Sequence, residues 1–228
     1  MLGTIVNAAA ILLGGFIGLL FKKGLNERIT ETVMHGLALV VIYIGVSGAL
    51  EGQNVLIAVI SIAVGGALGA ALDLDGKFNA FAHGLEKKLV KNDDGTSTFG
   101  QGFVTATLVF CVGAMAIVGS LNSGLRGDHE VLFAKSLIDG ISAAMFASAL
   151  GSGVLLSSAA VFVYQGAITL LARVLSPVLS DTVVAEMTCV GSLLIMGLGL
   201  NMLGATKIKV MNYILAVFLP IAVCLLIR

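Results

Sequence analysis

Long apolar stretches alternate with short polar ones along the whole chain. A helix needs about 20 mostly apolar residues to cross a bilayer, and Leu2–Phe21, closed by Lys22-Lys23, is the first such stretch. It has no charged leader and no small-residue cleavage site before a polar domain, so the pattern predicts a retained span rather than a signal peptide. Further stretches at about Thr32–Leu50, Val55–Leu72, Gly102–Leu121, Val131–Leu150, Val154–Leu171, Thr182–Leu203 and Val210–Ile227 bring the predicted helices to eight. The fifth and seventh are interrupted by charge. Between the third and fourth lies a polar segment, Asp73 to Phe99. Its middle, Lys77–Lys91, sets Phe78, Phe81, Ala82, Leu85 and Leu89 at helical spacing opposite Lys87, Lys88 and Lys91. That is the signature of an amphipathic helix lying on a membrane surface. Asn92-Asp93-Asp94-Gly95 predicts a turn, and Arg173–Asp181, which contains Pro177, a polar connection.

Composition supports this pattern. Hydrophobic residues make up 58% of the 228 and charged ones 11%, against about 25% charged in an ordinary soluble domain. Thirteen basic and 13 acidic residues are too few to cover a water-soluble globule. The net charge of zero, with no basic face, excludes an electrostatic nucleic-acid binder. Glycine is frequent, at 29 residues, while there are two Pro and no Trp, as in close-packed membrane helices. Cys111, Cys189 and Cys224 each sit in an apolar run without a Cys or His companion at ligand spacing, so they read as small buried hydrophobes, with no metal or cofactor implied. With the N-terminus outside, the inside loops hold Lys22, Lys23, Arg28, Lys77, Lys87, Lys88, Lys91, Lys207 and Lys209, against Arg126, Lys135, Arg173 and Arg228 outside. The excess of inside positive charge predicts that both ends lie outside.

An internal repeat is visible. Cys111-Val112-Gly113 with Ile117 and Gly119 recurs as Cys189-Val190-Gly191 with Ile195 and Gly197, at a constant offset of 78. Gly14-Gly15 with Ile17-Gly18 is a looser third copy. The helices that follow carry Val33-Met34-His35, Leu137-Ile138-Asp139 and Val210-Met211-Asn212, two apolar residues and then a polar one. The expectation is an all-α, polytopic membrane bundle in one integral domain with a 3+3+2 arrangement. The first repeat covers 1–98, the second 99–180 and a partial third 181–228. An odd number of spans per unit would invert the second copy, as in many secondary transporters.

A charge at the bilayer centre needs a partner or a cavity. Asp139 is the deepest acid. It reads either as a substrate- or proton-binding carboxylate, or as the i,i+4 partner of Lys135 with both side chains reaching outward. His35 has the chemistry of a proton relay, or is an interfacial histidine. Asn7, Gln165 and Asn212 are candidates to line a pathway or to bond across helices. Glu186, about one turn from the outer end of its span, reads more readily as reaching the headgroups than as lining a vestibule. Gly14 with Gly18, and Gly65 with Gly69, form G-x-x-x-G pairs, and Gly113 and Gly191 match across the repeat; close helix packing is their first meaning. A broken helix with freed backbone groups is the second.

No P-loop, dinucleotide fingerprint, H-E-x-x-H or G-x-S-x-G is present, so the residues do not point to an enzyme. The opening Met1-Leu2-Gly3-Thr4-Ile5-Val6-Asn7-Ala8-Ala9-Ala10, the run Gly100–Ser120 and Lys135-Ser136-Leu137-Ile138-Asp139-Gly140 resemble the bacterial YqgA/YdfK-type inner-membrane protein family, a domain-of-unknown-function family. The likeness runs from end to end. It implies a multi-pass protein of the bacterial cytoplasmic membrane and implies no reaction or substrate. The functional expectation from the residues is a small secondary transporter or channel-like carrier for a small polar or ionic solute, acting through Asp139, Asn7, His35, Gln165 and Asn212, with the lipid bilayer as its surroundings and a homo-oligomer as a possible assembly. A non-transporting scaffold or partner subunit, using Lys77–Lys91 to recruit something, is the alternative; an intramembrane enzyme is a remote one.

Overall fold

The computed structural model describes residues 1–22, 27–89 and 98–227. The turn expected at Asn92–Gly95 and the end of the amphipathic helix at Lys91 lie outside these residues, as do the side chains of Leu85, Lys87, Lys88 and Leu89. All regular structure described is helical: α1 Leu2–Lys22, α2 Glu27–Ala49, α3 Val55–Ala71, α4 Leu74–Leu89, α5 Phe99–Cys111, α6 Ala114–Leu125, α7 Glu130–Leu150, α8 Gly153–Leu170, α9 Ala172–Leu175 and α10 Asp181–Met202. A 3-10 segment, Val210–Phe218, then runs into α11, Leu219–Ile227. Pro220 explains where that conversion falls, because its ring has no N–H to donate and suits the first turn of a helix.

Among the described residues, five helices are long and apolar enough to cross a membrane: Leu2–Phe21, Glu31–Ala49, Glu130–Leu150, Gly153–Leu170 and Asp181–Met202. Two further helix pairs qualify when each is counted as one bent unit. Val55–Ala71 meets α4 at 62°, and Phe99–Cys111 meets Ala114–Leu125 at 60°. The fourth predicted span is thus not the straight helix that its apolar run implied. The eighth is short, part 3-10 and part α.

Outward faces are strongly apolar. Leu13, Leu20, Tyr43, Val55, Leu137 and Val163 are all 65% exposed or more, as suits side chains meeting lipid tails rather than water. α10 is the axis of the bundle, with 15 of its 22 residues buried. It contacts α2, α3, α5, α6, the 3-10 segment and α11. Around it Phe110 and Phe146 stack obliquely, with ring centroids 6.1 Å apart, in a core that includes Ile11, Val41, Leu150, Val161 and Ile195.

Glycines set the closest crossings. A Cβ on Gly14 or Gly18 would strike the backbone carbonyls of Gly140 and Ala144 in α7. One on Gly65 or Gly69 would strike the backbone of Ala216 and Asn212 in the 3-10 segment. Both G-x-x-x-G pairs are therefore packing motifs, each seated on residues four apart in its partner, and the backbones come close because no side chain intervenes. Gly191 is a third packing glycine: an added Cβ would lie 2.5 Å from Val112 Cγ1. Gly113 departs from the expectation. Nothing lies within 4 Å of its added Cβ, and its φ is +121°, so it bends the chain rather than packing it. Asp73, at φ 47°, turns the chain between α3 and α4. α4 begins three residues earlier than expected and rests on the bundle through Ala82 and through Phe78, stacked on Phe103 at 5.4 Å.

Candidate functional site

Three polar pairs, each one helical turn long, meet inside the bundle. α1 supplies Thr4 and Asn7, α7 supplies Lys135 and Asp139, and α8 supplies Gln165 and Thr169. All six are buried. The spacing explains the convergence, since residues three or four apart share a helix face, and the tight α1–α7 crossing brings two of those faces together. Asp139 is nine residues beyond the start of α7, a rise of about 13.5 Å, near the middle of that 21-residue helix.

Lys135 Nζ lies 2.8 Å from both carboxylate oxygens of Asp139. The pair does not reach outward: Lys135 is 6% exposed and Asp139 3%. Asn7 Nδ2 donates to Asp139 Oδ2 at 3.0 Å and to Gln165 Oε1 at 3.3 Å. The hydroxyls of Thr4 and Thr169 lie 3.5 Å apart. Two buried amide atoms of the cluster, Asn7 Oδ1 and Gln165 Nε2, have no hydrogen-bond partner, which leaves one acceptor and one donor beside an ion pair. Buried polar atoms are rarely left unpaired without a reason.

The break between α5 and α6 adjoins this cluster. Val112 is extended, at φ −81° and ψ 137°, and Gly113 follows at ψ 148°. Cys111, the last residue of α5, is within electrostatic reach of Lys135 and Asp139. Helix ends carry backbone groups without intrahelical partners. Irregular backbone at membrane depth occurs where protein or a cavity surrounds it.

The other two expected site residues lie elsewhere. His35 is exposed on α2. Asn212 accepts a hydrogen bond from the Asp75 backbone N–H at 2.9 Å, where it secures the turn from α3 into α4. The three positions aligned by the repeat therefore occupy three different surroundings, and only Asp139 joins the cluster. Glu186 does not reach the headgroups. It is fully buried, and its Oε1 accepts from the backbone N–H groups of Gln53 and Asn54, both at 2.8 Å, at the start of α3. Ser148, Ser157 and Ser158 on α7 and α8 each bond a carbonyl three residues back on their own helices. Asn201 likewise serves the loop before the 3-10 segment, through Thr206 and Ile208. Thr4 and Thr169 were missed in the sequence, although each stands one turn from a residue that was singled out.

A family model described as "Protein of unknown function (DUF554)" matches residues 2–225. The chain belongs to this DUF554 family. It is 30% identical over 224 residues to the "Uncharacterized membrane protein YdfK" of Bacillus subtilis (strain 168), an alignment covering 96% of this chain and 94% of that protein. It is 30% identical over 222 residues to the "Uncharacterized protein YqgA" of Escherichia coli (strain K12), again across 96% and 94%. No solved structure matches. With its apolar helices and a relative described as a membrane protein, this DUF554 member is an integral membrane protein.

Proposed function

We propose that this chain is a small secondary carrier or channel-like protein for a small polar or ionic solute, not an enzyme, and that its site is the cluster of Asp139, Lys135, Asn7 and Gln165. The observation that carries this reading is an acid and a base buried together at mid-helix, with Asn7 bonded to the acid and in turn to Gln165, two amides that keep one free acceptor and one free donor. Charges at that depth are costly to insert and mark substrate or ion pathways. A purely structural ion pair would not need spare amide valences. A solute entering here competes with Lys135 for Asp139 and takes the free atoms of Asn7 and Gln165.

The adjacent break at Val112–Gly113 supports the same reading, because discontinuous helices supply freed backbone groups to transporter sites. We count α5–α6 as one bent span, α4 as a surface helix, and the 3-10 segment with α11 as the eighth pass. With this count the 3+3+2 inverted arrangement and both termini on the outer face of a bacterial cytoplasmic membrane fit together. His35 and Asn212 stand outside the site. The exposed apolar faces admit a homo-oligomer within the bilayer, and no nucleic acid enters the function.

The test is reconstitution of the full chain into proteoliposomes. Ion flux is followed with potential- and pH-sensitive dyes, and counterflow with a panel of radiolabelled small metabolites. Wild type is expected to move at least one solute, and Asp139→Asn, which keeps the acceptor for Asn7 but removes the charge, is expected to abolish that flux. Unchanged flux in Asp139→Asn, or no flux of any solute through the wild type, overturns the proposal.

A further inference from the structure

Away from the Asp139 cluster, at the end of the bundle where α3 and α10 begin, a cavity of about 380 Å³ opens between Gln53, Asn54, Ile57, Val178, Ser180 and Glu186. Thr182, Val183, Cys224 and Leu225 complete its wall. Its size is within the range of small-molecule sites, roughly 300–1,000 Å³. Among the described residues, the carboxylate of Glu186 is the one acidic group on that wall, and its two oxygens differ. Oε1 takes two backbone N–H bonds, which fix the side chain and satisfy amides at the start of α3. Oε2 is buried with no hydrogen-bond partner. Glu186 lines the cavity and is held by one oxygen, while the other, buried beneath that wall, has no partner. Buried polar groups are ordinarily satisfied, and charged ones paired.

We propose that this cavity is a binding site for a small protonated amine, with Glu186 Oε2 as its anionic partner. Three features select the amine class. The free valence is a carboxylate oxygen, an acceptor suited to an ammonium group. Ser180 and Thr182 line the same wall and carry hydroxyl oxygens that can accept N–H bonds; Ser180 Oγ accepts a long 3.5 Å contact from Val183 N–H. Ile57, Val178, Val183 and Leu225 supply apolar walls for a carbon body, which a bare metal cation does not need. The site is separate from the Asp139 cluster in residues and in helices, so it stands whether or not that cluster carries a solute.

The experiment titrates n-butylammonium against the full chain purified in detergent, reading thermal stability, with sodium and potassium chloride at equal ionic strength as controls. Butylammonium is expected to raise the unfolding temperature saturably, beyond either salt. Glu186→Gln keeps a carbonyl oxygen for the two backbone amides and removes the charge. It is expected to weaken half-saturation about tenfold, the factor that corresponds to 1.4 kcal/mol. Asp139→Asn is expected to respond like the wild type, which separates this proposal from the carrier reading. Should Glu186→Gln fail to fold, Val178→Phe fills the cavity from its wall and is expected to abolish the shift. The proposal is overturned if the wild type does not respond, if sodium or potassium gives an equal shift, if both Glu186→Gln and Val178→Phe respond like the wild type, or if Asp139→Asn alone loses the response.

Discussion

The Lys135–Asp139 pair gives a prediction whose size follows from its geometry. At 2.8 Å, and with an effective permittivity of about 20, two unit charges attract by about 6 kcal/mol. Removing both ions from water costs several kcal/mol each, so the pair as a whole adds little to stability. Deleting one partner is different: it leaves the other charge buried and uncompensated, at a cost of about 3–5 kcal/mol. The perturbation is a double-mutant cycle of Lys135→Met, Asp139→Asn and the two combined. The amide introduced by Asp139→Asn retains an oxygen for the Asn7 side chain, so the cycle isolates the charges. For a chain of this length each kcal/mol moves the melting temperature by roughly 2–4 °C. Each single variant is then expected to melt about 6–20 °C lower, whereas the double variant falls within a few degrees of wild type. The assay is thermal unfolding of detergent-solubilised protein. If the single effects add in the double variant, the two charges are not coupled and the account of the pair is wrong.

Three further outcomes follow. Gly69→Ala places a methyl on the backbone carbonyl of Asn212, which cannot yield, and is expected to cost about 1–3 kcal/mol; Gly36→Ala, with nothing within 4 Å of the new Cβ, should be neutral or stabilising by up to about 1 kcal/mol, both read by melting temperature. Gly113→Ala meets no side chain but must hold φ +121°, a strain of about 1–3 kcal/mol, so it should lower the melting temperature together with any flux seen in proteoliposomes. Asn212→Ala removes the bond to Asp75 and should cost about 1 kcal/mol of stability while leaving that flux unchanged.

The polar cluster was legible in sequence because its members recur at helical spacing. Lys135 and Asp139 are four residues apart, and Asn7 and Gln165 stand alone in apolar runs, where an amide must find a partner. What the sequence did not reveal was rotation. His35 matches Asp139 in the repeat, yet a helix turned by one residue rotates its side chains by about 100°, and α2 presents His35 outward. The role of Glu186 was hidden for another reason. Its distance along α10 points to the headgroups, but its partners are backbone amides opening α3, more than 130 residues earlier in the chain. No side-chain pattern in the sequence marks that need.

The repeated Cys-Val-Gly motif shows how one local sequence serves two structures. In α10, Cys189-Val190-Gly191 remains helical, and the missing side chain of Gly191 makes a notch. Val112, from the other copy, fills that notch. Val112 is the last residue whose N–H still bonds along α5, and the chain turns away at Gly113, in a conformation that side chains with a Cβ rarely adopt. Glycine therefore acts once as a socket and once as a break. A side chain at Gly191 would displace Val112. The break also ends α5 at Cys111, within electrostatic reach of Lys135 and Asp139. The seating of Val112 on Gly191 thus holds the end of α5 against α10, and that contact couples the packing of the bundle to the position of the break.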